Sequence, residues 1–110
     1  MKIKGKVVKG KGVGKTLGYP TANLNCVVDL SGVFTCRVFI DDEYFNGVAI
    51  FANKANPEIH ILDFGQNIMG TILEVDVLGK ISEVQKCKDQ AALIRKIKED
   101  IKKAIKYFSV

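Results

Sequence analysis

The chain has 110 residues, 17 basic and 12 acidic side chains for a formal charge of +5, and 47% hydrophobic content, which gives room for one globular domain spanning 1–110 and for no second domain beside it. No window approaches the ~20 apolar residues of a membrane span, and the start Met1-Lys2-Ile3-Lys4 lacks the apolar run of a secretory leader. Cys26, Cys36 and Cys87 are odd in number and widely spaced, and there is one histidine; a disulfide framework and a zinc site are not expected, and the thiols read as free and buried in a reducing cytoplasm.

Lys2 to Lys9 alternates charged with apolar residues and reads as a strand with one wet face. It leads into Gly10, Gly12, Gly14 and Gly18, interleaved with Lys11 and Lys15. Glycines let the backbone come close to a bulky anion, and the first 28 residues hold six lysines and no acid, while the remaining 82 carry 11 basic and 12 acidic groups. A positive field gathered on one loop suits a nucleoside triphosphate better than a nucleic acid, which also wants an aromatic platform that this basic half lacks. Thr21 and Asn23 follow with uncharged oxygens of the kind a phosphate-bound Mg²⁺ accepts. The spacing is not that of a P-loop. Gly14-Lys15-Thr16 fits its end, but Lys9 stands where the first glycine is required, and Gly18 and Pro20 interrupt the helix that would have to follow.

Val33 to Ile40 and Tyr44 to Phe51 form a hairpin across Asp41-Asp42-Glu43. Ile59 to Phe64 is a further strand, Gly65-Gln66-Asn67 a turn, and Ile72 to Leu78 a strand with Leu73, Val75 and Val77 on one face and Glu74 and Asp76 on the other. The period then changes. From Asp89, a candidate N-cap, Ile94, Ile97, Ile101, Ala104, Ile105 and Phe108 recur at spacings of three and four, with Lys96, Glu99, Lys103 and Lys106 on the surface of one amphipathic helix. Five strands and a terminal helix suggest a small antiparallel barrel with the helix against its side; a sixth strand would come from about Asn25 to Val28 or from splitting a longer segment.

Leu17-Gly18-Tyr19-Pro20-Thr21-Ala22-Asn23-Leu24 resembles the signature of riboflavin kinases of the bacterial and eukaryotic type. The similarity continues through Gly32-Val33-Phe34, Gly47-Val48-Ala49, Glu58-Ile59-His60-Ile61-Leu62-Asp63-Phe64 and Met69-Gly70. It implies a mainly β fold, a six-stranded antiparallel Greek-key barrel with one C-terminal helix packed on its side. It also implies a kinase that moves the γ-phosphate of ATP to the 5′-hydroxyl of riboflavin with Mg²⁺, and only that step, since the adenylyltransferase fused to many bacterial relatives needs far more chain.

On this resemblance Gly10, Gly12, Gly14, Lys15, Gly18, Pro20, Thr21 and Asn23 enclose the nucleotide, with Lys15 where bacterial relatives usually have Arg. Thr21 and Asn23 hold the Mg²⁺, and Glu58 accepts the proton of the attacking hydroxyl. Taken alone, Pro20-Thr21-Ala22-Asn23 is a turn sequence. His60 shares a face with Glu58 and Leu62 and is read as orienting or packing near the site; Asp63 points the other way, solvated. The expected partners are riboflavin and ATP, with no membrane, nucleic acid or obligate protein partner.

Two departures stand out. The stretch from Ile50 to Pro57 is shorter than usual, as if a lid were trimmed, and the usual Leu-Arg-x-Glu-x-x-Phe run falls on Ile81 to Cys87, putting Ser82, Val84 and Cys87 in place of Arg, Glu and Phe. A relative that binds flavin or nucleotide without turnover is the alternative this raises; a small basic RNA-binding barrel is the other.

Overall fold

The computed structural model describes residues 1–8, 21–64 and 67–109. Six strands, β1 (Lys2–Val8), β2 (Thr21–Asn25), β3 (Gly32–Ile40), β4 (Glu43–Phe51), β5 (Glu58–Ile61) and β6 (Ile72–Ser82), are followed by one helix, α1 (Gln90–Phe108). The strands close into a barrel in the order β1-β2-β5-β4-β3-β6, every pairing antiparallel. The neighbours β2 and β5, and β3 and β6, are not consecutive in the chain, which is the Greek-key arrangement. No helix among the described residues is long and apolar enough to cross a membrane.

The β3–β4 hairpin turns on Asp41 and Asp42 alone, both at positive φ (48° and 67°), with Ile40 paired to Glu43. Two left-handed residues give the turn whose twist matches that of the flanking strands, and Asp is one of the few side chains to tolerate that conformation. Glu43, expected in the turn, is therefore the first residue of β4.

Strand alternation divides the side chains between two layers. Ala22, Leu24, Cys36, Val38, Ala49, Phe51, Ile59, Ile61, Leu73 and Val75 fill the barrel. Val33 and Val48 face outward and meet Ile97, Ile101 and Ala104 of α1, with Ile50, Leu62, Ile81, Leu93 and Phe108 around them. The helix thus roofs part of the outer wall over β4, β3 and β6. Asp89 caps it by accepting a hydrogen bond from Ala92 N at 2.8 Å.

Five sequence expectations are corrected. The sixth strand is Thr21–Asn25, earlier than Asn25 to Val28, so Thr21-Ala22-Asn23 is a strand and not a turn; pairing to both β1 and β5 holds it extended. β5 ends at Ile61 because Asp63 takes a positive φ of 54°. β6 runs past Leu78 to Ser82: at an irregularity in its pairing with β3, the buried Thr35 hydroxyl accepts from Gly79 N (3.1 Å) and donates to Gly79 O (3.3 Å), replacing the missing ladder bonds. On α1 the buried stripe is Ile97, Asp100, Ile101 and Ala104, with Ile105 53% exposed. Lys96, expected on the surface, is folded inward to Asp100. Residues 65 and 66 of the expected Gly65-Gln66-Asn67 turn lie outside the described residues.

Candidate active site

β5 lies between β2 and β4, and its register decides which side chains meet. Glu58 is paired with Asn23 on one side and Ile50 on the other; His60 is paired with Thr21 and Val48. Directly opposed residues of antiparallel strands project to the same face, so Asn23, Glu58, His60, Val48 and Ile50 share the outer wall of the barrel, while Ala22, Ile59 and Ala49 between them point inward. Val48 and Ile50 belong to the layer under α1, while Glu58 and Asn23 on the same wall are only partly buried. The sequence expectation that Glu58, His60 and Leu62 share a face agrees with Leu62 packing in the same layer.

His60 Nε2 lies 2.9 Å from Glu58 Oε1. The imidazole is buried, its side chain 2% exposed, whereas that of Glu58 is 32% exposed. A partly exposed carboxylate thus meets a buried imidazole at hydrogen-bond distance. Asn23 donates from Nδ2 to Asn56 O at 3.2 Å, a contact that uses the amide nitrogen and not its oxygen. Asn56 sits at a positive φ of 55° just before Pro57, and the loop that contains it folds back along the continuation of β2: Leu24 N donates to Pro57 O (3.0 Å), Asn56 N to Cys26 O (3.0 Å), and Val28 N to Lys54 O (2.7 Å). The short Ile50 to Pro57 segment is therefore fastened beside β2, where it orients Asn23. Sequence reasoning missed Asn56 in this role; an Asn-Pro pair is a turn signal, and Asn is among the residues most at ease in the left-handed region.

Gly10, Gly12, Gly14, Lys15, Gly18 and Pro20 lie outside the described residues. The described ends on either side of them, Val8 and Thr21, are both beside Asn23: Val8 is its register partner and Thr21 starts the same strand. Among the described residues no group of three or more His, Cys, Asp or Glu is arranged to hold a metal. The donor set at hand is neutral oxygen chemistry, which suits a Mg²⁺ whose remaining positions belong to phosphate and water.

Cys26, Cys36 and Cys87 are free, but of the three thiols expected to be buried only Cys36 is; Cys26 and Cys87 are partly exposed. Burial pushes the Cys36 thiol up to about 12 and raises that of Cys26. Neither is on the Glu58 wall, since both pack with the barrel interior. Ser82, on the run where the sequence departs most from the riboflavin kinase pattern, donates from Oγ to Asp100 Oδ1 at 2.7 Å and accepts from Lys96 Nζ at 2.8 Å. It serves the junction of β6 with α1.

Fold and site together define a small closed barrel bearing a carboxylate and an amide side by side on its outer wall, next to a docked helix. The riboflavin kinase (flavokinase) family matches residues 1–108, and the chain belongs to that family. A bifunctional riboflavin kinase/FMN adenylyltransferase from Haemophilus influenzae is 33% identical over 98% of this chain, which spans 39% of that protein. The crystal structure of riboflavin kinase from Trypanosoma brucei superposes with a TM-score of 0.64 at 25% identity, over 96% of this chain and 78% of that one. A crystal structure from Streptococcus pneumoniae described as a macrolide-efflux protein superposes with a TM-score of 0.78 at 31% identity, over 92% of this chain and 37% of that one.

Proposed function

We propose that the chain transfers the γ-phosphoryl group of ATP to the 5′-hydroxyl of riboflavin, giving FMN and ADP. The observation that carries this reading is the register pair Asn23–Glu58, which sets a neutral oxygen ligand and a candidate base on one face of the wall within a chain that belongs to the riboflavin kinase family. Phosphoryl transfer asks mainly for positioning and charge neutralisation, with a base at the attacking oxygen. Glu58 supplies the base: the hydroxyl oxygen forms the new bond to phosphorus, its proton passes to the Glu58 carboxylate, and the bond from the γ-phosphorus to its bridging oxygen breaks with ADP as the leaving group.

Gly10, Gly12, Gly14 and Gly18 with Lys15 and Pro20 surround the phosphates, the glycines by close approach of backbone N–H groups and Lys15 by its charge. Thr21 and Asn23 would hold Mg²⁺, which when bound would neutralise phosphate charge. Asn23 suits this because Asn56 takes its N–H, a contact that does not use the amide oxygen. Riboflavin and ATP are the partners in this reading, residues 1–110 act as one kinase domain, and the setting is the cytoplasm. The adenylyltransferase activity in the relatives' names is outside it.

The test is direct. The protein incubated with riboflavin, ATP and Mg²⁺ yields FMN on chromatography, and Glu58→Gln removes turnover by about 10²–10⁴-fold, the contribution of a positioned general base, while nucleotide binding survives. Equal rates for the two proteins would refute the base, and no FMN from the unaltered protein would favour a relative that binds without turnover, the reading that the Ser82, Val84 and Cys87 departures support.

A further inference from the structure

We infer that His60 is the positioning residue for Glu58, fixing the carboxylate toward the attacking hydroxyl; the inference rests on Glu58 being the base. Three observations carry it. The Nε2–Oε1 distance of 2.9 Å is a hydrogen bond, and it links residues two apart on one strand face. The exposures are unequal, 2% for the imidazole against 32% for the carboxylate, so the constraint runs from the ring to the acid. The ring itself is gripped: its strand neighbour Val48 is 1% exposed in the layer under α1.

Glu has three rotatable side-chain bonds, and a partly exposed Glu spends little time in any one geometry unless something holds it. An imidazole N–H orients the carboxylate without requiring a full positive charge. His60 touches no reacting atom in this scheme. It acts through Glu58, and its removal lowers turnover without loosening either substrate.

Steady-state kinetics on five variants test this, each first checked by its melting temperature. His60→Leu is expected to lower kcat about 10- to 100-fold, the scale of a small misplacement of a reacting group, with KM for riboflavin and for Mg·ATP each within threefold. His60→Gln, whose amide can donate to the carboxylate, recovers most of kcat, whereas His60→Asn, too short to reach, does not. Added to Glu58→Gln, His60→Leu costs less than a further twofold of the residual rate, because its effect passes through the carboxylate. Unchanged kcat in His60→Leu with Glu58→Gln inactive would overturn the positioning role alone; so would equal rates for Gln and Asn at position 60, a comparison that holds even where the Leu variant fails to fold. Full activity in Glu58→Gln would instead overturn the base, and with it this inference.

Discussion

Replacing Asp100 by alanine should be among the most destabilising single changes on the helix, although a charged residue in that position would ordinarily be taken for surface. Asp100 is 4% exposed. Both its oxygens lie 2.9 Å from Lys96 Nζ, and Oδ1 also accepts from Ser82 Oγ at 2.7 Å. Its removal leaves an ammonium, on a side chain only 13% exposed, with the Ser82 hydroxyl as its one remaining partner among the described residues. Breaking a buried pair from one side costs about 3–5 kcal/mol. The flexible lysine stem lets the ammonium reach water, which brings the expected loss to about 2–3 kcal/mol, or a fall of about 10–20 °C in melting temperature for a domain of this size. The double change Lys96→Met with Asp100→Leu removes both charges and should return within about 1 kcal/mol of the unaltered protein, since apolar side chains of similar volume often replace a buried pair without loss. Urea and thermal denaturation followed by circular dichroism measure all three proteins. A loss below about 0.5 kcal/mol for Asp100→Ala, the value of an exposed pair, would refute the argument, as would a double variant no more stable than the single one.

Gly47→Ala places a methyl group 2.8 Å from His60 O and 3.2 Å from Cys36 Sγ; β5 has to shift, and we expect about 1–3 kcal/mol of destabilisation together with reduced turnover, both read from one preparation by calorimetry and FMN formation. Asn23→Ala should raise the Mg²⁺ concentration for half-maximal activity by about tenfold, the scale of losing one tuned contact at a metal site, in a Mg²⁺ titration at fixed ATP; an unchanged titration would remove Asn23 from the metal. The Cys36 thiol, pushed up to about 12 from its ordinary 9.0, is stabilised in its neutral form by folding, so its contribution is complete below pH 9 and is lost as the pH climbs toward 12. Stability should therefore fall less steeply in that window for Cys36→Ala than for the unaltered protein, in denaturant melts at stepped alkaline pH, and a thiol reagent at neutral pH should leave Cys36 unmodified in the folded chain.

The elements read most clearly from sequence were those whose local pattern and tertiary role agree. Leu73, Val75 and Val77 alternate with Glu74 and Asp76 and are all buried; Asp89 precedes a helix and caps it. β2 was obscured because the core residues Ala22 and Leu24 alternate with Asn23 and Asn25, and Asn is a poor strand former; its conformation comes from pairing with strands distant in the sequence. β6 looked finished at Leu78 because Gly79 weakens a strand, yet the Tyr107 ring fills the space a side chain would take there, with a Cβ landing 2.9 Å from Tyr107 Cε2. Asp100 did leave a signal, lying between Ile97, Ile101 and Ala104 on the buried stripe, but charge spoke for solvent. At the site, the family pattern marked Asn23 and Glu58, and alternation along one strand sufficed to group Glu58 with His60. The service Asn56 renders Asn23 depends on a loop returning beside β2, which no local pattern announces.

Closure of the barrel sets the order in which the working wall can come into being. Asn23 meets Glu58 across 35 positions of chain, and Ile3 meets Val75 across 72, so these ladders form only after long loops have been drawn shut, a slow step compared with the neighbouring β3–β4 hairpin. A chain still emerging from the ribosome, with β5 and β6 unmade, has the Asn23 amide but no Glu58 opposite it. Under the proposed function a partly assembled molecule is therefore idle rather than half active, because Asn23 and Glu58 face each other only in the completed cylinder.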